Sequence, residues 1–336
     1  MNGQPQLPTT PLFRKDLVRW RQLVVPHWVV LLQANASIEA APAGAWCLVE
    51  VGSDGGTAYA QGHVPGALYL DTHWLEAPPL WNSVDDEALL SVLLGLGIDH
   101  DTTVMLYGRT ATAVGRAAHL MLYAGVRDVR LIDGGLAAWQ SAGLPWEQGS
   151  GELPHPRQAA SPSNGFGRHC PGQPAWLLNL EQAQRHLLTE GAALVSVRSW
   201  EEYSGFTSGY SYISAKGDIP GALWGHAGRN DALYNGLVDV DDMGAFLMPD
   251  GRMRRAANIE TMWRAEGIHP DLHLAFYCGT GWRASLAFFF AWLMGWERIA
   301  VFDGGWLEWS QGGSQGTRAA DVRNSSAICS TSPTTA

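Results

Sequence analysis

The chain has 336 residues, 46% hydrophobic and 16% charged, with a formal net charge of −10. This composition suits a globular protein large enough for two cored domains, and the negative balance argues against nucleic acid or an anionic membrane as partner. The longest early apolar run, Leu23–Leu32, is interrupted by Pro26 and His27 and is too short to span a bilayer; no secretory leader precedes it, so the chain reads as cytoplasmic.

Residues 1–19 are polar and read as a disordered N-terminus. A first domain over 20–146 opens with a short strand at Leu23–Val25 and a helix started by Pro26. Strands follow at Trp46–Val51, Leu68–Leu70, Val104–Tyr107 and Val129–Ile132, with helices at Asp85–Leu96, Ala113–Tyr123 and Leu136–Ser141. Residues 147–173 are rich in Pro, Gly, Ser and Gln and mark a linker. The pattern then restarts over 174–311, with helices at Leu180–Leu188 and Ile259–Glu266 and strands at Ala193–Val197 and Ile299–Phe302. Residues 312–336 read as a disordered tail.

The stretch that carries chemistry is Leu274–Arg283, a short apolar strand turning through Cys278-Gly279-Thr280-Gly281-Trp282-Arg283 into the apolar helical run Ala284–Met294. A glycine-bearing loop between a strand and a helix lets backbone N–H groups turn inward beside the positive end of the helix dipole, which makes an anion trap. A thiol placed there is expected to have a lowered pKa, and the thiolate is the nucleophile. The other cysteines lack such a setting: Cys47 sits in a core strand, Cys170 in the linker and Cys329 in the tail. No CxxC or other metal-type spacing occurs, so neither a metal site nor a disulfide framework is indicated, and no cofactor is called for.

The two halves repeat. Tyr107 and Tyr277, Asp133 and Asp303, and Trp139 and Trp309 are each 170 residues apart, and the turns Gly62–Ala67 and Gly217–Ala222 correspond. Two copies of one α/β unit imply two domains, each a mostly parallel sheet flanked by helices. At the same offset Gly108 stands opposite Cys278, so one copy carries the thiol and the other has lost it.

The GHVPGA and GDIPGA turns, the paired DGG-x₃-W endings and the strand–Cys-loop–helix resemble the rhodanese superfamily over about residues 20–310, and the second half is similar to multi-domain bacterial rhodanese-like sulfurtransferases. The resemblance implies a silent first domain and an active second one. Cys278 would take sulfane sulfur from thiosulfate or 3-mercaptopyruvate as a persulfide and pass it to cyanide, a thiol or a protein acceptor. Gly279, Thr280, Gly281, Trp282 and Arg283 would cradle the persulfide, with Arg283 facing the leaving anion and Trp282 a pocket wall or docking surface. Arg198 either lines the site or anchors the loop. Trp224, His226 and Arg229 follow the second Pro-Gly-Ala turn and could rim the pocket, although a histidine there is more often structural.

The sequence departs from the family pattern in three places. Ser196 stands where many rhodaneses have an aspartate, Glu202 where the thiosulfate and mercaptopyruvate enzymes have a second substrate arginine, and Trp282 and Arg283 fit neither loop type. Two alternatives remain. A phosphatase of related fold also sets a cysteine and an arginine around an anion, but with five residues between them. Here there are four, which suits sulfur better than a phosphate tetrahedron. A non-catalytic scaffold or sulfur-relay partner fits Gly108 in the first domain and is opposed by the Cys278 loop in the second.

Overall fold

The computed structural model describes residues 11–149, 165–228, 233–234, 237–238 and 242–312. Residues 1–10, positions 150–164 of the expected linker, Arg229 and the tail from 313, with Cys329, lie outside them.

The first domain is a five-stranded sheet of β1 (Leu23–Val24), β2 (Trp46–Gly52), β3 (Leu68–Asp71), β4 (Thr103–Gly108) and β5 (Asp128–Ile132). Its order is β1-β5-β4-β2-β3, and every pairing is parallel. Strands buried on both faces need a helix at each crossover, supplied by α1 (Pro26–Gln33), α2 (Thr57–Gln61), α3 (Asp86–Gly95) and α4 (Ala111–Ala124), and α5 (Gly135–Ser141) follows the last strand. The second domain repeats the plan with β6 (Leu177–Leu178), β7 (Ala192–Ser196), β8 (Leu223–Trp224), β9 (His273–Tyr277) and β10 (Ile299–Phe302), ordered β8-β7-β9-β10-β6 and again parallel. Its helices are α6 (Leu180–Leu187), α7 (Trp200–Tyr203), α8 (Ala256–Ala265), α9 (Trp282–Leu293) and α10 (Gly305–Gly312). Asp85 caps α3 through the Ala88 N–H, and Asn179 and Gln182 close a capping box on α6.

The strongly periodic elements lie where the sequence places them, within a few residues. The sequence reading lacks α2, α7, β6, β8 and the short antiparallel pairs Glu76–Ala77 with Asn82–Ser83 and Leu233–Tyr234 with Leu237–Val238. Elements of two to five residues carry too little periodicity to stand out.

The two domains share one apolar core, and its centre is α9 against α4. Every residue of α9 from Arg283 to Leu293 is buried, because the helix packs between its own sheet and the other domain. Burying Phe288, Phe289 and Phe290, none more than 2% exposed, contributes roughly 2–3 kcal/mol each. Gly115 makes the close approach possible, since a Cβ there would lie 2.7 Å from the Leu286 Cα. The two DGG aspartates fasten the domains reciprocally: Met253 N–H donates to Asp133 (2.8 Å) and Ser83 N–H donates to Asp303 (2.8 Å).

Two expectations about disorder need correction. Residues 11–19 are tied down, because Phe13 and Leu17 are buried and Arg14 donates to the Met253 and Arg254 carbonyls of the other domain. The end of the expected linker is also anchored, by buried Phe166.

The interface also carries an acid-sensitive group. His119 on α4 is fully buried, its Nε2–H donates to the Trp176 carbonyl (3.0 Å), and its ring meets Phe288 edge-on. Burial, helped by the charge of Arg116, pushes the imidazole pKa down to about 3. The unfolded chain therefore binds a proton that the folded chain refuses, so this contribution is intact above pH 6.5 and lost as the pH falls toward 3. His119→Leu should remove on the order of 4 kcal/mol of stability change across that window. Urea unfolding of both proteins at a series of pH values measures it, and equal slopes would refute it.

Candidate active site

Cys278 ends the central strand β9, beside the end of β7, where the chain direction across the sheet reverses. Crevices at the carboxyl ends of strands at such a point are the usual sites of open α/β sheets. The residue is 1% exposed. The start of α10 holds the loop from behind, with Trp306 N–H on the Cys278 carbonyl (2.8 Å) and Leu307 N–H on that of Gly279 (3.1 Å). Among the described residues, no protein group accepts the N–H groups of Gly279, Thr280, Gly281, Trp282 or Arg283. Gly281 takes the left-handed conformation (φ 95°) that starts α9.

Arg283, which the sequence offers as the cation facing a leaving anion, is paired within the fold. Its guanidinium donates to both oxygens of Glu202 (2.7 and 2.8 Å) and to the Tyr210 hydroxyl (2.7 Å), while the Tyr210 ring packs against Gly279. Arg198 joins the same carboxylate at 3.3 Å and also holds the Gly217 and Ser208 carbonyls, with Asp218 3.4 Å away. Arg198 is thus committed to two carboxylates and two backbone carbonyls. Burial alone would raise the Glu202 carboxyl, but Arg283 and Arg198 beside it hold it at about 2. Asp218 accepts from Ser196 (2.6 Å) and from the Tyr277 hydroxyl, tying β7, β9 and the Pro-Gly-Ala turn together.

The other side of the loop is held by the first domain. Trp282 Nε1–H donates to Glu76 (2.8 Å), which ties this half-buried ring to the first domain. Arg116, fully buried on α4, pairs with Glu76 (2.7 Å) and with Asp303 (2.6 Å). Its Nη1 reaches so close to Gly281 that a Cβ there would lie 3.1 Å away. Burial pushes the Glu76 carboxyl up despite Arg116.

Of the expected rim residues, Trp224 Nε1–H donates to the Arg198 carbonyl (2.9 Å), and His226 packs on Trp224 with its Nε2 3.2 Å from Glu266. Both are committed to structure. In the first domain the loss of the thiol has let the backbone close in: a Cβ at Gly108 would meet the Val51 carbonyl oxygen at 2.6 Å. Burial pushes the Cys47 thiol up to about 12. Cys170, in the expected linker, is half-buried, and burial raises it to about 11. Sequence reasoning missed Tyr210, Glu76 and Arg116. Arg116 left one signal, a lone charge in the apolar helix ATAVGRAAHLMLYA.

No group of His, Cys, Asp and Glu among the described residues could hold a metal ion, and no helix among them is long and apolar enough to cross a membrane. The model of the rhodanese-like domain matches residues 40–142 and 174–312. Thiosulfate sulfurtransferase YnjE of Escherichia coli K12 is 49% identical over 296 residues, which are 88% of this chain and 65% of YnjE. The chain thus spans slightly less than two thirds of that relative. A probable 3-mercaptopyruvate sulfurtransferase of Pseudomonas aeruginosa is 30% identical, with 76% of this chain and 84% of that one covered. Among solved structures, YnjE superimposes with a TM-score of 0.81 at 47% identity, covering 89% of this chain and 68% of that one. EanB, solved as a cysteine persulfide in a tetrahedral intermediate state with ergothioneine, superimposes with a TM-score of 0.80 at 36% identity, covering 89% and 70%.

Proposed function

The chain belongs to the rhodanese-like domain family, and we propose that its second domain is a sulfurtransferase carrying sulfane sulfur on Cys278. The observation that carries this reading is the buried Cys278 at the end of β9, followed by five N–H groups without an acceptor among the described residues. In the first half-reaction the Cys278 thiolate attacks the outer sulfur of thiosulfate. The sulfur–sulfur bond breaks, sulfite leaves and a persulfide remains. With 3-mercaptopyruvate the carbon–sulfur bond breaks instead, the thiol proton passes to carbon and pyruvate leaves. In the second, cyanide or a thiolate attacks the outer sulfur and the Cys278 thiolate is restored. The unclaimed amides of Gly279 to Arg283 would stabilise the persulfide anion as oxyanion-hole donors do elsewhere.

The relatives' names point to both donors. Glu202 cancels the charge next to the loop, a balance better suited to the monoanion 3-mercaptopyruvate than to the dianion thiosulfate. The first domain has Gly108 where the second has Cys278 and acts on the reaction from outside, through Glu76 and Arg116. The test is to incubate the protein with each donor and take intact and peptide mass spectra without reductant. One added sulfur on the Cys278 peptide is expected, faster from 3-mercaptopyruvate, and none in Cys278→Ser. An unmodified peptide with both donors, or sulfur added to Cys278→Ser at the wild-type rate, would overturn the reading.

A further inference from the structure

The silent first domain keeps a cavity of about 270 Å³ at the place that corresponds to the Cys278 site. Gly108, the start of α4 and the Asp133-Gly134-Gly135 turn line it, and the second domain closes it with Leu247, Met253, Leu286 and Phe290. Its one acidic group is Asp133, 5% exposed, which accepts a hydrogen bond from Met253 N–H and has no ion-pair partner among the described residues.

The other half of the molecule shows what such a carboxylate is built to hold. Asp303, its counterpart 170 residues on, takes a backbone N–H from Ser83 just as Asp133 takes one from Met253, and it also has the Arg116 guanidinium 2.6 Å away. The same offset carries Arg116 of α4 to Leu286 of α9. Glu76, paired across from Ser83 and bonded to Arg116, has as its counterpart Leu247, paired across from Met253. The silent site therefore retains the carboxylate and its backbone donor, while the guanidinium and its second acid are replaced by two leucines that line the empty volume.

We propose that this cavity binds a small organic cation, a guanidinium head carrying a short apolar tail, with the head on Asp133 and the tail against Leu247, Leu286 and Phe290. The nearest positive charges do not fill that role. Arg14 spends its N–H groups on the Met253 and Arg254 carbonyls and on Asp16, and Arg252 stands half-exposed beside Asp250. The side chain of Arg109, at the cavity mouth, is turned to Glu50 and to the Ala58 and Gly62 carbonyls. Burial pushes the Asp133 carboxyl up to about 6, so a cation arriving above that pH meets an ionised and largely desolvated partner.

The test is isothermal titration of the full chain with n-butylguanidinium at about pH 8, against n-butylurea, a neutral ligand of the same shape. One-to-one binding of the guanidinium is expected, about tenfold or more tighter than the urea. Asp133→Asn should remove that preference, Leu286→Arg should abolish binding by placing a guanidinium in the cavity, and Cys278→Ser should bind like the parent. No saturable binding up to about 10 mM, equal affinity for the urea, or binding retained in both cavity variants would overturn the proposal.

Discussion

Glu202→Gln is expected to cost about 3–5 kcal/mol of stability and to shift donor preference toward thiosulfate. Glu202 is fully buried and is the shared anion of Arg283 and Arg198, themselves no more than 1% exposed. Glutamine keeps the shape, and its carbonyl can still accept from one of them, but Arg283 is then left without a counter-charge in a buried site and Arg198 keeps only Asp218, 3.4 Å away. The pKa of the carboxyl leads to a similar size. It is held at about 2 against an ordinary 4.5, so its contribution is complete above pH 4.5 and is lost as the pH falls toward 2. Urea unfolding at neutral pH gives the cost, and the acid-side slope between pH 4.5 and 2 should flatten in the variant. A double variant, Glu202→Gln with Arg283→Met, should recover part of the loss, because removing both charges is cheaper than stranding one. The rate of sulfur loading from each donor then tests specificity, since an unneutralised Arg283 beside the loop favours the dianion. Stability within about 0.5 kcal/mol of the parent would show that the buried pairing carries no weight.

Arg116→Met should be comparably severe, and it acts on the second domain from the first. The guanidinium lies between Glu76 and Asp303, both no more than 6% exposed, and removing it strands two carboxylates at a cost of about 3–5 kcal/mol. Glu76, already raised by burial, would rise further and take up a proton, weakening the acceptor that holds Trp282. Trp282 and Gly281 belong to the cysteine loop, and small misplacements of reacting groups cost on the order of a hundredfold in rate. The expected result is a loss of sulfur loading of about that size, with Arg116→Lys intermediate because it restores the charge but not both contacts. Glu76→Gln gives a second readout: it keeps an acceptor for the Trp282 indole and removes a negative charge, so it should retain more activity than Arg116→Met. Full loading by Arg116→Met at undiminished stability would mean that the first domain is a bystander.

Most of the architecture is written locally. Short apolar strands, the Pro-Gly-Ala turns and the two DGG endings are patterns of adjacent residues, and their recurrence at a spacing of 170 is a matter of counting. The same holds for Cys278 and its loop, because a strand end, two glycines and a helix start are consecutive in the chain. The replacement of the thiol by Gly108 is legible for that reason too.

What the loop rests on is not local. Glu202 and Arg283 are 81 residues apart, and Arg116 and Asp303 stand in different domains. From the sequence alone, Arg283 is a cation facing a leaving anion and Trp282 a pocket wall or docking surface. Folding turns the first onto Glu202 and the second onto Glu76, because a buried charge or indole N–H must find a partner wherever the packing puts one. The sequence by itself determined a two-fold repeated α/β protein with one cysteine in a glycine-bearing loop between a strand and a helix. Only the tertiary structure decided which charges surround that loop, since it alone sets α4 against α9 and brings residues as distant as Glu76 and Asp303 into one cluster.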